Sequence, residues 1–192
     1  MTSLLHWSFD RRTLVAAVGD TVVRRASDLR GVFLDEPSRA ALAAADDPVV
    51  YRVASVERPD DAGGELAWGL GVIEAGRVGD EYFMTKGHAH ARREAAEIYI
   101  GLGGEGFMLL EDLRDGSCAA LPLRADEVVY VPGFTAHRTV NVGTAPLGYL
   151  GIYPADAGHD YGAVAAKGFA QVILASAAGP RVVRRAQLRG GA

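Results

Sequence analysis

Short apolar runs, separated by glycine, proline and aspartate at close intervals, follow one another along this chain from about residue 48 onward. Glycine alone accounts for 24 of the 192 residues. Apolar stretches broken so regularly by turn-forming residues are typical of an all-β sandwich or barrel. The candidate strands are 49–53, 66–73, 81–85, 97–102, 106–112, 118–122, 128–131, 137–142, 147–153, 169–174 and 181–183.

The first part of the chain follows a different pattern. Two short apolar runs, 14–18 and 21–25, flank Gly19-Asp20 and indicate a hairpin. Asp35 can cap a helix, and Pro37 suits a first helical turn. We therefore expect a short helix in the alanine-rich stretch that follows.

The length of 192 residues suits one domain with a sizeable core. We expect N-terminal strands and the short helix in residues 1–47, a barrel in 48–175, and a last strand and tail in 176–192. Residues 60–64 are expected to form a polar turn and residues 189–192 to fray. No repeat or low-complexity tract suggests a second unit.

Three of the five histidines and one glutamate form the pattern of a metal site. His88 and His90 lie two residues apart, so on a strand both side chains point to the same face. Glu97 follows, and His137 comes forty residues after it. Three imidazoles and a carboxylate suit a divalent transition metal that keeps open coordination positions. Glu94 competes as a ligand unless it falls in the loop before the strand.

Composition argues against several other classes. The net charge of −4 provides no basic field for nucleic acid. Cys118 is the only cysteine, so an intramolecular disulfide is impossible and a reducing compartment is expected. The N-terminus lacks the pattern of a secretory signal, and no apolar run is long enough to span a membrane. We therefore expect a cytoplasmic protein without nucleic-acid or membrane partners.

Two blocks of the sequence resemble the paired motifs of the cupin superfamily. The first contains Gly87-His88-Ala89-His90 and Glu97, and the second is His137-Arg138-Thr139-Val140-Asn141. Longer runs resemble one branch, the cupin-type glucose-6-phosphate isomerases. The resemblance spans nearly the whole chain, and its most discriminating run is 153–162, which general cupins lack. The three longest matching runs are 82–90, 136–143 and 153–162.

The resemblance implies a jelly-roll β-barrel that forms homodimers and binds one divalent metal per chain. It also implies the interconversion of glucose 6-phosphate and fructose 6-phosphate, in glycolysis and gluconeogenesis. Iron is the first expectation for the metal, with manganese, nickel and zinc as alternatives. The implied metal ligands are His88, His90, Glu97 and His137.

The same resemblance assigns the substrate-binding and catalytic positions. It implies phosphate contacts from Tyr51, Thr85, Gly87 and Tyr99. It places His159 and Tyr161 beside the reacting end of the sugar, together with Glu97. The sequence departs from the family pattern at Ala95, where a tyrosine is common, and at Leu70 and Gly71, where a phosphate-contacting threonine is expected.

The chemistry of aldose–ketose exchange sets the demands on such a site. Negative charge builds on O1 and O2 when the C2 proton leaves, and a metal can stabilise that charge. Glu97 could ligate the metal or carry the proton as a general base in an enediol route. We expect that route, but a metal-assisted hydride shift, which needs no base, stays open. His159 is the remaining histidine placed to open the sugar ring.

Some neighbouring charged residues receive simpler interpretations. On a strand, Lys86 should face away from Thr85 and Gly87, so we assign it no role. The Arg92-Arg93 pair is expected to be a solvated turn. A lone histidine is usually structural, so His6 receives no role either.

Two other functions fit the same residues. An iron-dependent cupin dioxygenase would use the same donor set, and oxygen uptake without sugar-phosphate turnover would favour it. A non-catalytic sugar-phosphate binding module is the second alternative, because fold does not fix function. Tight binding of a sugar phosphate without conversion would favour that module.

Overall fold

Strands predominate in the computed structural model, which describes residue 6 and residues 8–17, 20–56 and 64–188. The all-β prediction is confirmed. No helix in these ranges is long and apolar enough to cross a membrane. The strands are β1 Phe9–Asp10, β2 Val15–Ala16, β3 Asp20–Arg25, β4 Val49–Val56, β5 Leu66–Ile73, β6 Arg77–Val78, β7 Glu81–Tyr82, β8 Glu97–Gly103, β9 Glu105–Asp112, β10 Cys118–Arg124, β11 Val128–Val131, β12 Thr135–Asn141, β13 Leu147–Pro154, β14 Gln171–Leu174 and β15 Arg181–Arg184. The helices are α1 Glu36–Ala45, α2 Gly162–Ala165 and α3 Arg185–Leu188.

Two antiparallel sheets enclose the core in a jelly-roll sandwich. One sheet has six strands in the order β11-β8-β13-β5-β4-β3, and the other has three in the order β10-β9-β12. Strand β5 is buried at all but its first residue, and every residue of β12 is buried. Because β8 and β12 belong to different sheets, side chains that they direct inward meet between the sheets.

The N-terminal part combines one confirmed and one wrong prediction. Helix α1 forms as expected, with Asp35 as its cap accepting a 2.9 Å hydrogen bond from the backbone N–H of Ser38. The predicted hairpin is wrong, because β2 pairs with β1 whereas β3 pairs along β4. A six-residue partner for β4 satisfies more backbone groups than a two-residue hairpin would. Gly19, residues 60–63 of the predicted polar turn, and the tail 189–192 lie outside the described residues.

The histidine segment between β7 and β8 is less regular than predicted. The expected strand 81–85 ends at Tyr82, and the backbone then pairs with β12 through single bridges, among them His88 with His137. Gly87 interrupts the alternation with a positive φ of 74°. A Cβ at this position would lie 2.5 Å from the ring of Phe169, so both the conformation and the space require glycine.

Asn141, at the end of β12, holds that buried strand to its surroundings. Its side chain is fully buried and its Nδ2 donates to the carbonyl oxygens of Ile73 and Ala145, both at 2.9 Å. Its Oδ1 accepts from the Gly143 N–H at 2.9 Å. One side chain thus satisfies three buried or half-buried backbone groups and connects β12 to the end of β5.

We expect Asn141→Ala to lower the free energy of unfolding by roughly 1–3 kcal/mol, because the carbonyl oxygens of Ile73 and Ala145 lose the Nδ2 donor. Urea denaturation measures the change. Thr21→Ala, an exposed substitution on β3, is the control and should stay within about 0.5 kcal/mol of the parent. An equal free energy of unfolding for the two variants would show that the Asn141 side chain does not stabilise β12.

Candidate metal centre and substrate cavity

Four side chains from three segments of the chain converge between the sheets. Glu97 begins β8, His137 lies in β12, and His88 and His90 come from the segment between β7 and β8. One ligand atom from each lies within 4.8 Å of the others. Oε2 of Glu97 is 3.3 Å from Nε2 of His90 and 3.1 Å from Nε2 of His137. The exposed Glu94 is outside this cluster.

The donor atoms of the cluster fit a divalent cation. The three Nε2 atoms and Glu97 Oε2 are buried, and none of them makes a hydrogen bond within the described part of the chain. His90 is oriented from behind, since its Nδ1 lies 2.9 Å from the carbonyl oxygen of Ala95. Buried polar atoms without partners are costly, and atoms that face one point can share a metal ion. The cluster, with its mixed nitrogen and oxygen donors, therefore suggests a divalent metal.

Electrostatics favour the protonation states that metal ligands need at two members of the cluster, His88 and Glu97. Burial, followed by the nearby rings of His137 and His159, lowers the pKa of His88 well below its ordinary value, so this imidazole is neutral. Burial raises the pKa of Glu97, but the imidazoles of His137 and His90 outweigh it and hold the pKa below its usual range. The cluster thus contains a carboxylate and at least one neutral imidazole.

Glycine leaves the room that the Glu97 carboxylate occupies. Gly151 faces it from the neighbouring strand β13, and a Cβ there would lie 2.8 Å from Glu97 Oε1. Tyr99, two residues along β8, lies on the same inner face and its ring centroid is 5.7 Å from that of His137. Burial and then the neighbouring Glu97 raise the pKa of Tyr99 well above its ordinary value, so its phenol is protonated.

A cavity of about 270 Å³ opens from this cluster. The residues predicted to contact phosphate all line it: Tyr51, Thr85, Gly87 and Tyr99. Its wall also includes His159 and Tyr161, the two residues predicted beside the reacting end of the sugar. Both are exposed, and their rings stack at a centroid distance of 6.1 Å. The structure therefore brings every predicted site residue to one cavity or to the cluster beside it.

The loop that carries His159 is tied to the histidine segment. The ring of His159 lies 4.6 Å from that of His88, centroid to centroid. Arg92 forms a 2.7 Å ion pair with Asp156, and Arg93 pairs with Asp160. Residues 91–94 form the expected turn and Arg92 is exposed, but the two arginine side chains also join these loops, a role that the sequence did not predict.

Several lining residues were missed from the sequence. Lys86 lines the cavity because the chain around Gly87 is not a regular strand, contrary to the expectation that it faces away. Arg24 lies opposite Tyr51 in the β3–β4 register, and its guanidinium lowers the pKa of the Tyr51 hydroxyl against the larger, raising effect of burial. Tyr149 and Tyr153 also line the cavity. The alternating run Tyr149-x-Gly151-x-Tyr153 was a signal that these residues share one face of a strand.

Comparison with known proteins places the chain in a family. The family model described as "Glucose-6-phosphate isomerase (GPI)" matches residues 23–187. The chain belongs to the glucose-6-phosphate isomerase family. A glucose-6-phosphate isomerase from Pyrococcus horikoshii is 49% identical over 153 residues, which is 80% of each chain. One from Pyrococcus abyssi is 44% identical over 165 residues, or 86% of each chain.

More distant members and structures complete the comparison. A putative glucose-6-phosphate isomerase 2 from Rhizobium meliloti is 42% identical over 153 residues. The match covers 79% of this chain and 76% of the Rhizobium protein. Oxalate decarboxylase from Bacillus subtilis aligns in space over 57% of this chain and 26% of its own, with 24% identity and a TM-score of 0.46. Membership in the isomerase family rests on the sequence relatives.

We expect Gly151→Ala to weaken manganese binding about tenfold or more, because the added methyl group displaces the Glu97 carboxylate. Isothermal titration of the metal-free protein with Mn²⁺ measures the dissociation constant. Gly103→Ala, on β8, is the matched control, since a Cβ there meets no atom within 4 Å. Unchanged Mn²⁺ affinity in a folded Gly151→Ala protein would contradict a role of Glu97 as ligand.

Proposed function

We propose that this chain is a metal-dependent isomerase that interconverts glucose 6-phosphate and fructose 6-phosphate. The observation that carries the proposal is a single cavity with a buried four-donor cluster at one end and hydroxyl, backbone and cationic groups at the other. A phosphorylated sugar would place its carbonyl carbon at the cluster and its phosphate at the polar, cationic end. Relatives that cover four-fifths or more of the chain carry the name of this enzyme and support the same reaction.

The cluster end is suited to the C1–C2 unit of the open-chain sugar. A divalent cation bound by His88, His90, Glu97 and His137 would supply positive charge against the charge that develops on O1 and O2. Glu97 has a second oxygen, Oε1, directed toward Gly151. We propose an enediol route in which Glu97 takes the proton from C2 and returns it to C1, or the reverse.

The other end of the cavity is suited to the phosphate. Thr85 accepts a 3.2 Å hydrogen bond from the Thr139 N–H and keeps its own O–H as a donor. Gly87 lets the backbone approach an anion closely. Arg24 and Lys86 add two cationic side chains, which pair favourably with a phosphate dianion. Binding energy gained here orients the reacting carbons at the cluster.

The mouth of the cavity is suited to ring opening. His159 is exposed and lies beside His88, so its imidazole can exchange protons with solvent and reach a sugar bound at the cluster. We propose that His159 transfers the proton needed at the ring oxygen and that Tyr161, stacked on it, fixes the imidazole.

The finer parts of the proposal concern metal, assembly and location. We propose iron(II) as the resident metal, since the mixed nitrogen and oxygen shell suits it.

We also propose a homodimer that uses the N-terminal strands. Strand β3 forms an edge of the six-stranded sheet and exposes Val23, which leaves a strand edge for a second copy. The single cysteine, Cys118, supports a cytoplasmic location and a place in sugar-phosphate metabolism there.

Chelation and metal replacement test the proposed activity. We expect conversion of fructose 6-phosphate, followed through a coupled dehydrogenase, to fall to background after chelation and to return with iron, manganese, nickel or zinc. In deuterium oxide the enediol route incorporates solvent deuterium at C2 of the product, because the carried proton exchanges. A strict hydride shift leaves the product unlabelled.

Two outcomes would contradict the proposal in different ways. Oxygen uptake with no sugar-phosphate turnover would favour the dioxygenase. Binding of fructose 6-phosphate without conversion by any metal-loaded form would favour the binding module.

We expect His159→Ala to lower kcat roughly a hundredfold while the protein keeps its full metal content, because His159 is not part of the four-donor cluster. Steady-state kinetics and metal analysis by mass spectrometry give the two values. His6→Ala, an exposed histidine without an assigned role, is the control. Loss of metal in parallel with activity would show that His159 supports the cluster instead.

A further inference from the structure

The inner face of the six-stranded sheet has no side chain at Gly71, and the ring of Tyr149 fills the space there. In the antiparallel register Tyr149 of β13 lies directly opposite Gly71 of β5, which in turn lies opposite Val53 of β4. A Cβ on Gly71 would lie 2.2 Å from Cζ and 2.5 Å from the hydroxyl oxygen of Tyr149. The phenol of Tyr149 thus occupies the space that any side chain at position 71 would need.

The phenol is held from several sides. Tyr149 is only 6% exposed, yet it lines the cavity. Its ring lies 5.2 Å, centroid to centroid, from the ring of Tyr99 on β8. A ring packed between two strands loses little freedom when its hydroxyl meets a ligand, so the hydroxyl is already positioned for binding.

The hydroxyl lies over Gly71, which pairs with Val53 of β4, two residues along that strand from Tyr51, so it faces the part of the cavity that Tyr51 lines. Burial raises the pKa of Tyr149 above its ordinary value, which keeps the phenol protonated, although the Thr139 side chain opposes this effect. Thr139 also donates its backbone N–H to Thr85. Tyr51 raises the pKa of Tyr149 further. The protonated phenol has one O–H that it can donate to a ligand.

We propose that the Tyr149 hydroxyl donates a hydrogen bond to the phosphate of the bound sugar, and that Gly71 is required so that this hydroxyl can reach it. The inference rests on the proposed function, because it assumes a sugar phosphate whose phosphate lies near Tyr51 and Thr85. Gly71 has no side chain that could donate a hydrogen bond to the phosphate. The donor on this part of the wall comes instead from the strand beside it.

The first test removes only the hydroxyl. Tyr149→Phe in the manganese-loaded full chain should raise the Kd for glucitol 6-phosphate, which lacks a carbonyl and cannot isomerise, about tenfold in isothermal titration. The Kd for Mn²⁺ should not change. Tyr82→Phe, a half-buried tyrosine on β7 outside the cavity, should bind glucitol 6-phosphate like the parent.

Two results of this titration would overturn the inference. An unchanged Kd for glucitol 6-phosphate in Tyr149→Phe would show that the ring only packs. A parallel rise in the Kd for Mn²⁺ would show that the phenol acts through the metal cluster. In either case a parent protein that converts fructose 6-phosphate leaves the proposed function intact. A parent that neither binds nor converts sugar phosphates would end both proposals.

The second test moves the hydroxyl from one strand to the other. Tyr149→Leu removes the ring and with it the clash at position 71, and Gly71→Thr in that background places a hydroxyl there. Threonine suits a strand, so the double variant is compatible with β5. We expect it to bind glucitol 6-phosphate several-fold more tightly than Tyr149→Leu alone. Equal affinity of the two variants would count against a phosphate contact on this wall.

Discussion

A buried carboxylate among three imidazoles is the interaction on which the arrangement of this molecule depends. Glu97 is contributed by the six-stranded sheet and His137 by the three-stranded sheet, so the cluster lies across the interior of the sandwich. Removing a carboxylate from water is expensive unless opposite charge or hydrogen-bond donors surround it. Without a cation, the contacts of Glu97 Oε2 with His90 and His137 compensate only part of that cost. A divalent cation bound at this cluster would therefore stabilise the folded sandwich.

Absence of side chains is as important as their presence on the other wall of the cavity. Gly69 and Gly151 pair with each other across β5 and β13 and both line the cavity. A strand interior usually gains stability from side chains that pack across it, and glycine gives up that gain. Here the loss creates a flat backbone wall against which a sugar can lie. The packing that is missing from this wall is supplied by the rings of Tyr99 and Tyr149, which stand beside it.

The metal cluster could be predicted from the sequence because its members follow local rules. His88 and His90 share a spacing of two, and Glu97 and His137 begin or lie within predictable apolar runs. Arg24 and Tyr149 could not be assigned in this way. Whether Arg24 faces the cavity depends on the pairing of β3 with β4, a contact between residues more than twenty positions apart. The wrong hairpin at β2 and β3 has the same origin, since local turn signals do not decide which distant strand a segment joins.

One buried strand links the two ends of the cavity, and this link explains why β12 admits no exposed residue. His137 contributes a donor to the four-residue cluster, and Thr139, two residues further along the strand, holds Thr85 at the other end of the cavity through its backbone N–H. Arg138 between them points the other way and donates to the Lys86 carbonyl oxygen at 2.6 Å, behind the loop that contains Gly87.

Holding this loop requires burial of a charged side chain, that of Arg138. Its guanidinium lies 4.7 Å from the centroid of the Phe169 ring, and burial lowers its pKa to about 10. The ring, the carbonyl oxygen of Lys86 and the field of the buried Glu81 carboxylate offset part of the lost hydration, although Nε of Arg138 has no hydrogen-bond partner among the described residues. Since the same strand holds both the cluster and the loop that contains Thr85 and Gly87, the distance between the two ends is set by the backbone of β12. That fixed distance, rather than any single contact, is what would match the cavity to a substrate with a phosphate at one end and a carbonyl at the other.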